Sequence, residues 1–376
     1  MWVLPHIAAL RGRGHEIVAV LPADVGRLRR ALEASGVLVI PSAFDFRFVP
    51  RLSTLVGLLG FRRQIKALAP DVLHYHLYAS ALAVRLASIG MHIPRVHMVA
   101  GPLYLESSLI RRLERLLVRL DTVLIAGSEH TEKLYRSLGR HDGIVTIPYG
   151  VDTDRFAPLP SDVRPRVRAA LRIPQSAFVA IMVAYVYAPK SMVHSGIGIK
   201  GHTVLLSAWR QFHRQYPESR LLMVGSGFDD EGEEHRVALM HEFAVAEPSS
   251  GVVWLSTVPD VREYYAAADV SVCPSLSENH GAALEASALG IPCIVSDAGA
   301  LSETVTRDSG WVVPRNDSSA LHDALRNAME DNAAGGLAER GQTARAFVRR
   351  RFDSTGASAQ LADVIEAAVA RELVPS

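Results

Sequence analysis

The chain has 376 residues, 49% of them hydrophobic, and its 40 basic and 39 acidic side chains leave a formal net charge of +1. This composition is typical of a folded globular protein and argues against a disordered chain or a basic, nucleic-acid-binding surface. The length predicts two domains. The two cysteines, Cys273 and Cys293, favour a reducing, cytoplasmic environment over a disulfide framework. No uncharged stretch reaches the ~18 residues that a membrane span requires.

The first 150 residues alternate between helical and strand patterns. Apolar residues at 3–11 recur at helical spacing and end in a basic, glycine-containing turn, so a helix is predicted to open the chain. The β-branched run at 15–22 predicts a strand that is buried on both faces. Further helices are predicted at 24–36, 54–68, 79–90 and 106–120, and further strands at 37–41, 71–76, 95–101 and 122–127. This alternation predicts a parallel sheet covered by helices.

A second alternating region follows a polar, proline-containing stretch at 151–161, which is the predicted interdomain linker. Its clearest helix is predicted at 203–216, and its strands at 178–184, 220–225, 252–255, 270–274 and 292–296. The predicted fold class is therefore α/β, with two doubly wound domains in tandem. Because parallel sheets bind ligands at the carboxyl ends of their strands, a cleft between the domains is the predicted active site.

The segment 273–292 runs from a strand end through a polar loop into a helix. Gly281 allows the backbone to approach a ligand closely where this helix begins, and the free amides of a helix start favour an anion such as phosphate. The carboxylates of Glu278 and Glu285 can accept hydrogen bonds from sugar hydroxyls beside that anion. The plainer alternative is that both glutamates are solvated helix charges.

Together with its surroundings, this segment resembles the retaining family 4 glycosyltransferases of GT-B fold. The resemblance rests on the order of several short motifs, which are Pro70 to His74, Ile147 to Phe156, Lys200-Gly201, Val224 to Gly227, Pro274-Ser275, the two glutamates, Gly290-Ile291-Pro292, Val295 to Asp297 and Gly299 to Glu303. It implies transfer of a sugar from a nucleotide-diphosphate donor to an unknown hydroxyl acceptor, with retention of the anomeric configuration. It also implies that neither a metal nor another cofactor is needed.

The resemblance assigns roles to four residues of the second domain. Glu278 matches the glutamate at the hydroxyls of the donor sugar, and Lys200 matches the lysine on the diphosphate, so these two are the predicted catalytic residues. Glu285 matches the glutamate that binds the ribose. Val258 matches the position whose main chain contacts the base, with apolar filler as its alternative.

The phosphate-binding loop departs from the family pattern. The amides of Asn279, His280 and Gly281 match the backbone cradle for the sugar and phosphates. Family members usually carry a Gly-Arg pair shortly before the lysine, whereas Ala184-Tyr185 and an insertion are found here. Lys190, within this insertion, is predicted to supply the missing positive charge, and a solvated loop lysine is the alternative.

Two residues of the first domain are candidates for the acceptor side of the site. The cleft histidine of the family falls on Ala100 here, so His97 is an acceptor-side candidate, with a structural histidine as the alternative. Glu106 is a second candidate, or simply the first acidic residue of its helix. Two arginine-rich segments, 55–66 and 106–120, are similar to the interfacial helices of transferases with lipid-linked acceptors, and leave peripheral contact with a membrane open. Ordinary domain helices with basic outer faces are the alternative.

The resemblance also predicts the domain boundaries. Residues 1–155 form the acceptor domain, 156–352 the donor domain, and 353–376 a helix that returns to the first domain. Family members begin with a strand and a glycine-rich loop, so the first strand of the acceptor domain is predicted to be missing, or to be encoded upstream of Met1. Two other functions stay open: a nucleotide-sugar epimerase of the same fold, and a catalytically silent nucleotide-sugar-binding partner of a related transferase.

Overall fold

The computed structural model describes residues 3–23, 26–49, 51–189 and 197–373. The strands are β1 (Val18–Leu21), β2 (Leu38–Pro41), β3 (Leu73–His76), β4 (Arg95–Val99), β5 (Val123–Ala126), β6 (Ile144–Thr146), β7 (Val179–Val183), β8 (Arg220–Val224), β9 (Val252–Leu255), β10 (Val270–Cys273), β11 (Cys293–Ser296) and β12 (Gly310–Val313). The helices are α1 (Val3–Gly12), α2 (Arg27–Ala34), α3 (Leu52–Leu68), α4 (Tyr78–Ala87), α5 (Ser108–Leu117), α6 (Glu129–Ser137), α7 (Val163–Ala170), α8 (His202–Gln215), α9 (Asp230–Glu242), α10 (Arg262–Ala266), α11 (Ala283–Ala288), α12 (Ser318–Ala333), α13 (Leu337–Arg351) and α14 (Ser354–Leu373).

The chain divides into two compact units. Unit 1 contains residues 1–150 and 354–376, and unit 2 contains residues 151–353. The chain thus changes unit after Gly150 and again after Asp353, whereas the sequence predicted these changes after residues 155 and 352. None of the described helices is both long enough and apolar enough to cross a bilayer.

Unit 2 is built on a parallel six-stranded sheet with the order β12-β11-β10-β7-β8-β9. Its strands are short apolar runs because both faces of the sheet are covered. Along β7, Val179 and Ile181 join one hydrophobic core, while Ala180 and Met182 join the core on the opposite face. The strand order reverses between β7 and β10, which creates a switch point at the carboxyl edge of the sheet.

Unit 1 contains two parallel sheets in its described part. One pairs β1 with β2, and the other runs β3-β4-β5-β6. No strand joins β1 to β3 among the described residues, and α1 precedes β1 in the chain. Leu361 and Ile365 of α14 share a core with Leu10 of α1 and with Val96 and Met98 of β4, so the last helix is an integral part of unit 1.

The segment predicted as an interdomain linker is packed into unit 2. The Val151 amide donates a hydrogen bond to the Phe352 carbonyl at 2.7 Å, and the Thr153 hydroxyl donates to Asp353 at 2.6 Å. Val151 and Phe156 are buried in the core of unit 2. The start of the segment 151–161 is therefore hydrogen-bonded to residues 352–353 of the same unit. The polar composition of the segment does not predict this packing.

Candidate active site

A cavity of about 290 Å³ lies at the carboxyl edge of the unit 2 sheet. It is placed where β7 and β10 are neighbours, at the switch point of the strand order, and parallel α/β sheets bind their ligands at such points. The ends of β7, β8 and β10, the loop after β9 and the start of α11 form its walls. Its polar lining includes Tyr185, Tyr187, Lys200, Thr257, Ser275, Glu278 and Glu285.

Lys200 is positioned by the turn that precedes α8. Gly201 has a φ of 75°, a left-handed conformation that favours glycine, and a Cβ atom there would collide with the Pro274 carbonyl. This close approach between the turn and the end of β10 brings the Lys200 ammonium to the Glu278 carboxylate, to which it donates a hydrogen bond. The two predicted catalytic residues, far apart in sequence, therefore form an ion pair.

Glu278 is held by backbone contacts on both sides of its loop. One carboxylate oxygen accepts a hydrogen bond from the Asn279 amide at 3.2 Å, and the Glu278 carbonyl accepts one from the Ala300 amide at 3.2 Å. Gly299 has a φ of 60°, and a Cβ there would collide with the same carbonyl. A Cβ on Gly281 would lie 3.2 Å from the Glu278 carboxyl carbon. Gly299 is thus needed to seat the Glu278 backbone, and Gly281 leaves room for its carboxylate.

His280 turns its ring away from the cavity. The ring is buried, packs edge-on against Phe352 with centroids 4.9 Å apart, and lies 3.8 Å from the Glu303 carboxylate. Its backbone amide stays, with those of Asn279 and Gly281, a predicted ligand of the donor.

Glu285 lies on α11 and lines the same cavity as Glu278. Six residues separate Glu278 from Glu285 in the sequence, and both side chains line one site. Burial raises the pKa of Glu285 to about 7, and the positive charge of Arg155 opposes this shift. The carboxyl group consequently changes its charge near neutral pH.

We expect binding of a nucleotide sugar to strengthen between pH 6 and pH 8. In the predicted ribose-binding role, an ionised Glu285 would accept hydrogen bonds from the ribose hydroxyls more strongly than the neutral carboxyl, so the Kd should fall roughly three- to tenfold. Calorimetry with a nucleotide sugar is suitable, because free nucleotide diphosphates carry a terminal phosphate that itself titrates at about pH 6. Glu285→Gln should bind more weakly at pH 8 and show no pH dependence; the same dependence in this variant would contradict the assignment.

The same substitution is expected to stabilise the fold at high pH. Since the pKa of Glu285 is higher in the folded protein than the ordinary 4.5, its contribution favours folding below pH 4.5 and is lost as the pH rises through about 7. Glu285→Gln should therefore be more stable than the parent at pH 8, by at most about 3 kcal/mol in the free energy of unfolding, and should unfold at a higher temperature there. Near pH 4.5 the two proteins should unfold at similar temperatures.

The loop after β9 closes one end of the cavity. Val258 and Val261 line this end and also pack against the unit 2 core. The loop is fixed because the Thr257 amide donates to the Ser226 hydroxyl at 2.9 Å, and the Ser226 amide donates to the Thr257 hydroxyl at 3.3 Å. A rigid, apolar end of this kind supports the predicted main-chain contact between Val258 and the base, which stays a prediction.

Sequence reasoning missed two tyrosines of the cavity wall. Tyr185 and Tyr187 follow β7, and Tyr187 stacks on Phe228 with ring centroids 4.7 Å apart. Burial raises the pKa of Tyr187, and the charges of Lys200 and Glu278 shift it in opposite directions, so its phenol lies within electrostatic reach of that pair. The alternating aromatic residues at a strand end are a signal in the sequence, but the family resemblance points only to a cation in this loop.

Three further residues were predicted to take part in the site, namely Lys190, Glu106 and His97. Lys190 falls outside the described residues. Glu106 is exposed in unit 1, at the end of the short 3-10 helix Leu103–Glu106. His97 is fully buried in β4, where its ring stacks on Tyr75 with centroids 5.2 Å apart. This burial argues against the acceptor-side role considered for His97 and favours the structural alternative.

His97 belongs to a buried polar network in unit 1. The Arg85 guanidinium, fully buried on α4, donates to Asp121 at 2.6 Å and to Glu114 at 2.7 Å, and lies 3.1 Å from the His97 Nδ1 atom. Tyr135 donates a further hydrogen bond to Glu114 at 2.9 Å. Burial alone would raise the pKa of Asp121, but the hydrogen bonds and charges of Arg85 and His97 lower it to about 2. The network therefore compensates two buried carboxylates.

Two Rossmann-like units, with an ion-paired lysine and glutamate at the switch point of the second, define a glycosyltransferase of GT-B fold. The family model described as "Glycosyltransferase Family 4" matches residues 3–155, and the model described as "Glycosyl transferases group 1" matches residues 190–331. The chain belongs to the family 4 glycosyltransferases. The predicted family and the α/β fold class are thereby confirmed.

Known relatives share about a quarter of their residues with this chain. The D-inositol 3-phosphate glycosyltransferase 2 of Catenulispora acidiphila is 27% identical over 326 residues, which cover 78% of this chain and 70% of that protein. The GDP-mannose-dependent alpha-(1-6)-phosphatidylinositol monomannoside mannosyltransferase of Mycolicibacterium smegmatis is 29% identical over 234 residues, which cover 58% and 56%. HepE from Anabaena, crystallised with UDP, has the same fold, with a TM-score of 0.79, 21% identity, and coverage of 97% of this chain and 95% of that chain.

Proposed function

We propose that this protein transfers a sugar from a nucleotide-diphosphate donor to an acceptor hydroxyl, with retention of the anomeric configuration. The observation that carries the proposal is the ion pair of Lys200 and Glu278 in the switch-point cavity. Glu285 in the same cavity supplies the carboxylate for the ribose. The GDP-mannose dependence of one relative and the UDP bound to HepE support a nucleotide-sugar donor.

Both charged groups are within reach of an entering donor, since the Lys200 side chain is 22% exposed and the Glu278 side chain 18%. A diphosphate in the cavity competes with Glu278 for the Lys200 ammonium. Glu278 then has a free carboxylate oxygen with which to accept hydrogen bonds from the donor sugar. The ion pair thus holds the two groups next to each other at the cavity.

Lys200 stabilises the negative charge that develops on the diphosphate as the bond to the anomeric carbon breaks. This is a role that a divalent cation can fill, and we propose that Lys200 makes the reaction independent of a metal. The acceptor hydroxyl bonds to the anomeric carbon on the face that the diphosphate leaves, through an oxocarbenium-like state. A diphosphate oxygen takes the hydroxyl proton, so no protein base is assigned.

A panel of nucleotide sugars that includes UDP-glucose and GDP-mannose tests the proposal. A true donor at ~100 times its Kd should stabilise the protein by about 2.7 kcal/mol, a rise of roughly 5–10 °C in the Tm of unit 2. That donor should then be consumed by slow hydrolysis or by transfer in the presence of EDTA, and NMR of the first-formed product should show the donor's anomeric configuration. Epimerisation of the donor, or binding without turnover, would contradict the proposal.

We further propose that the protein works in the cytoplasm, with peripheral contact to the inner face of the membrane. Both cysteines are buried and unpaired, which supports a reducing compartment. The membrane contact is supported by the two arginine-rich helices of unit 1. Fractionation of cells should place the protein in the cytosol and in a salt-extractable membrane fraction; recovery from a secreted fraction would contradict this location.

A further inference from the structure

Three aromatic side chains cluster at the carboxyl edge of the unit 2 sheet. Tyr185 and Tyr187 follow β7, and Phe228 follows β8. The Phe228 ring stacks on Tyr187 with centroids 4.7 Å apart and meets Tyr185 edge-on with centroids 6.0 Å apart. Both tyrosines line the switch-point cavity, whereas Phe228 lies outside its lining and is 59% exposed. These three residues, called the aromatic platform below, extend the cavity wall towards solvent.

The platform stands on a backbone that is fixed by hydrogen bonds. The Val186 amide donates to the Ser226 carbonyl at 2.9 Å, and the Phe228 amide donates to the Val186 carbonyl at 2.9 Å. Gly232 of α9 approaches this pairing so closely that a Cβ atom there would collide with the Val186 carbonyl. Rings on a fixed backbone lose little freedom when they meet a ligand, so the platform is pre-organised for binding.

The loop around Phe228 gives structural roles to its neighbours but not to its ring. Ser226 accepts a hydrogen bond from the Thr257 amide, and Asp229 caps α9 by accepting one from the Gly232 amide at 2.8 Å. The Phe228 side chain, in contrast, belongs to neither of the two cores that flank the sheet. One exposed apolar side chain is ordinary on a protein surface. Adjoining aromatic rings at the wall of a cavity are typical of a ligand site.

The platform lies at the reactive end of the cavity. Burial raises the pKa of Tyr187, and the nearby charges of Lys200 and Glu278 act on it in opposite directions. The Tyr187 phenol is therefore close to the ion pair at which the donor sugar is proposed to react. The base is assigned to another end of the cavity, beside Val258. A ring that rests on Phe228 thus lies near the donor sugar but outside the cavity proposed for the donor.

We propose that the aromatic platform is a subsite for the acceptor and selects an acceptor hydroxyl that is carried by a sugar ring; this step rests on the proposed function. The C–H bonds on one face of a pyranose carry small positive charges, which pack against the negative face of an aromatic ring. The exposed ring of Phe228 supplies this face, and the two tyrosine hydroxyls can exchange hydrogen bonds with hydroxyls at the edge of the sugar. An open-chain polyol has no flat face and loses more conformational freedom on binding, so it binds more weakly.

Saturation-transfer NMR on the full chain tests the subsite without turnover. The probes are the methyl pyranosides of glucose, galactose and mannose, and glucitol is the open-chain control. We expect saturation to reach the ring C–H groups of at least one pyranoside, and roughly three- to tenfold less to reach glucitol. Phe228→Ala should lower the pyranoside signal roughly three- to tenfold, and so should Phe228→Leu, which keeps apolar bulk without an aromatic face. Phe228→Trp should retain the signal.

The variants at this position should fold like the parent, because the Phe228 ring is largely exposed. Phe48→Ala removes an exposed phenylalanine of unit 1; it is the matched control and should bind the probes like the parent. Equal signals from the parent and Phe228→Ala, or no signal from any pyranoside, would overturn the subsite. A signal that Phe228→Leu retains in full would refute stacking as the basis for selecting a ring.

Kinetics with the best donor of the panel assign the subsite to the acceptor. Phe228→Ala should raise the KM for the bound pyranoside roughly three- to tenfold. The Tm shift with the donor and the rate of donor hydrolysis should not change. A lost donor shift in this variant, or donor turnover without transfer to the pyranoside, would contradict the acceptor role. Pyranoside binding that depends on Phe228, in a protein that turns over no donor, would overturn the proposed transferase and leave the ring-binding subsite standing.

Discussion

Replacing Lys200 with alanine, or Glu278 with glutamine, is expected to lower the rate of sugar transfer by at least roughly 10²- to 10³-fold. Removal of one preorganised group that stabilises developing charge costs this much in other enzymes. Lys200→Ala should reduce kcat most, because the negative charge on the diphosphate grows as the glycosidic bond breaks. Glu278→Gln should reduce both kcat and the discrimination between donor sugars, since we propose that the Glu278 carboxylate accepts hydrogen bonds from the sugar hydroxyls.

Folding should be preserved in both variants. The ion pair is partly exposed, so its loss is expected to change the free energy of unfolding by no more than about 1 kcal/mol. Steady-state kinetics with the best donor of the panel, together with a thermal melt, makes the measurement. Lys133→Ala, on the exposed surface of α6, is the matched control and should be fully active. Activity of either site variant within a few-fold of the parent would refute the assignment of the site.

Replacing Arg85 with methionine is expected to destabilise unit 1 by roughly 3–5 kcal/mol at neutral pH. Its guanidinium is fully buried between Asp121 and Glu114. Its removal leaves two carboxylates buried without a cation, which is far more costly than loss of an exposed pair. The matched control is Arg136→Met, which breaks the exposed pair with Glu132 on α6 and should cost about 0.5 kcal/mol or less.

The size of this effect should depend on pH. The pKa of Asp121 is about 2 in the fold, below its ordinary value of 3.8, so its contribution to stability is complete above pH 3.8 and is lost as the pH falls towards 2. Without Arg85 that pKa rises. The difference between parent and variant should therefore be largest at neutral pH and shrink below about pH 4. Urea unfolding with hydrogen exchange in β4 and β5 measures it; an unchanged midpoint at pH 7 would contradict the role of the network.

Much of the fold could be predicted from periodicity. The strand at 270–274 and the helix at 203–216 appear within one residue of their predicted ends, because buried parallel strands and amphipathic helices leave strong patterns. The strand β12 was not predicted. Its four residues lie at the edge of the sheet, and Val312 is half exposed, so the run is too short and too mixed to stand out.

The candidate site could be predicted only in part. The glutamates, Lys200 and Gly281 were identifiable because their residue types and order match a family pattern. Tyr187 was not identified, since the alternation of Tyr185 and Tyr187 marks a strand end but does not show that these rings line a cavity. For His97 both readings stayed open in the sequence, because a strand pattern gives the spacing of a side chain and not its contacts, here with Arg85.

The sequence by itself determined the family, the alternating α/β organisation and the residues available to bind a donor. The tertiary structure decided which of them meet. Lys200 and Glu278 are 78 positions apart and pair only because β7 and β10 are neighbours in the sheet. It also decided what covers each apolar face: the pattern of α3 specifies a stripe, but only its packing shows that one half is buried in the core and the other half faces outward.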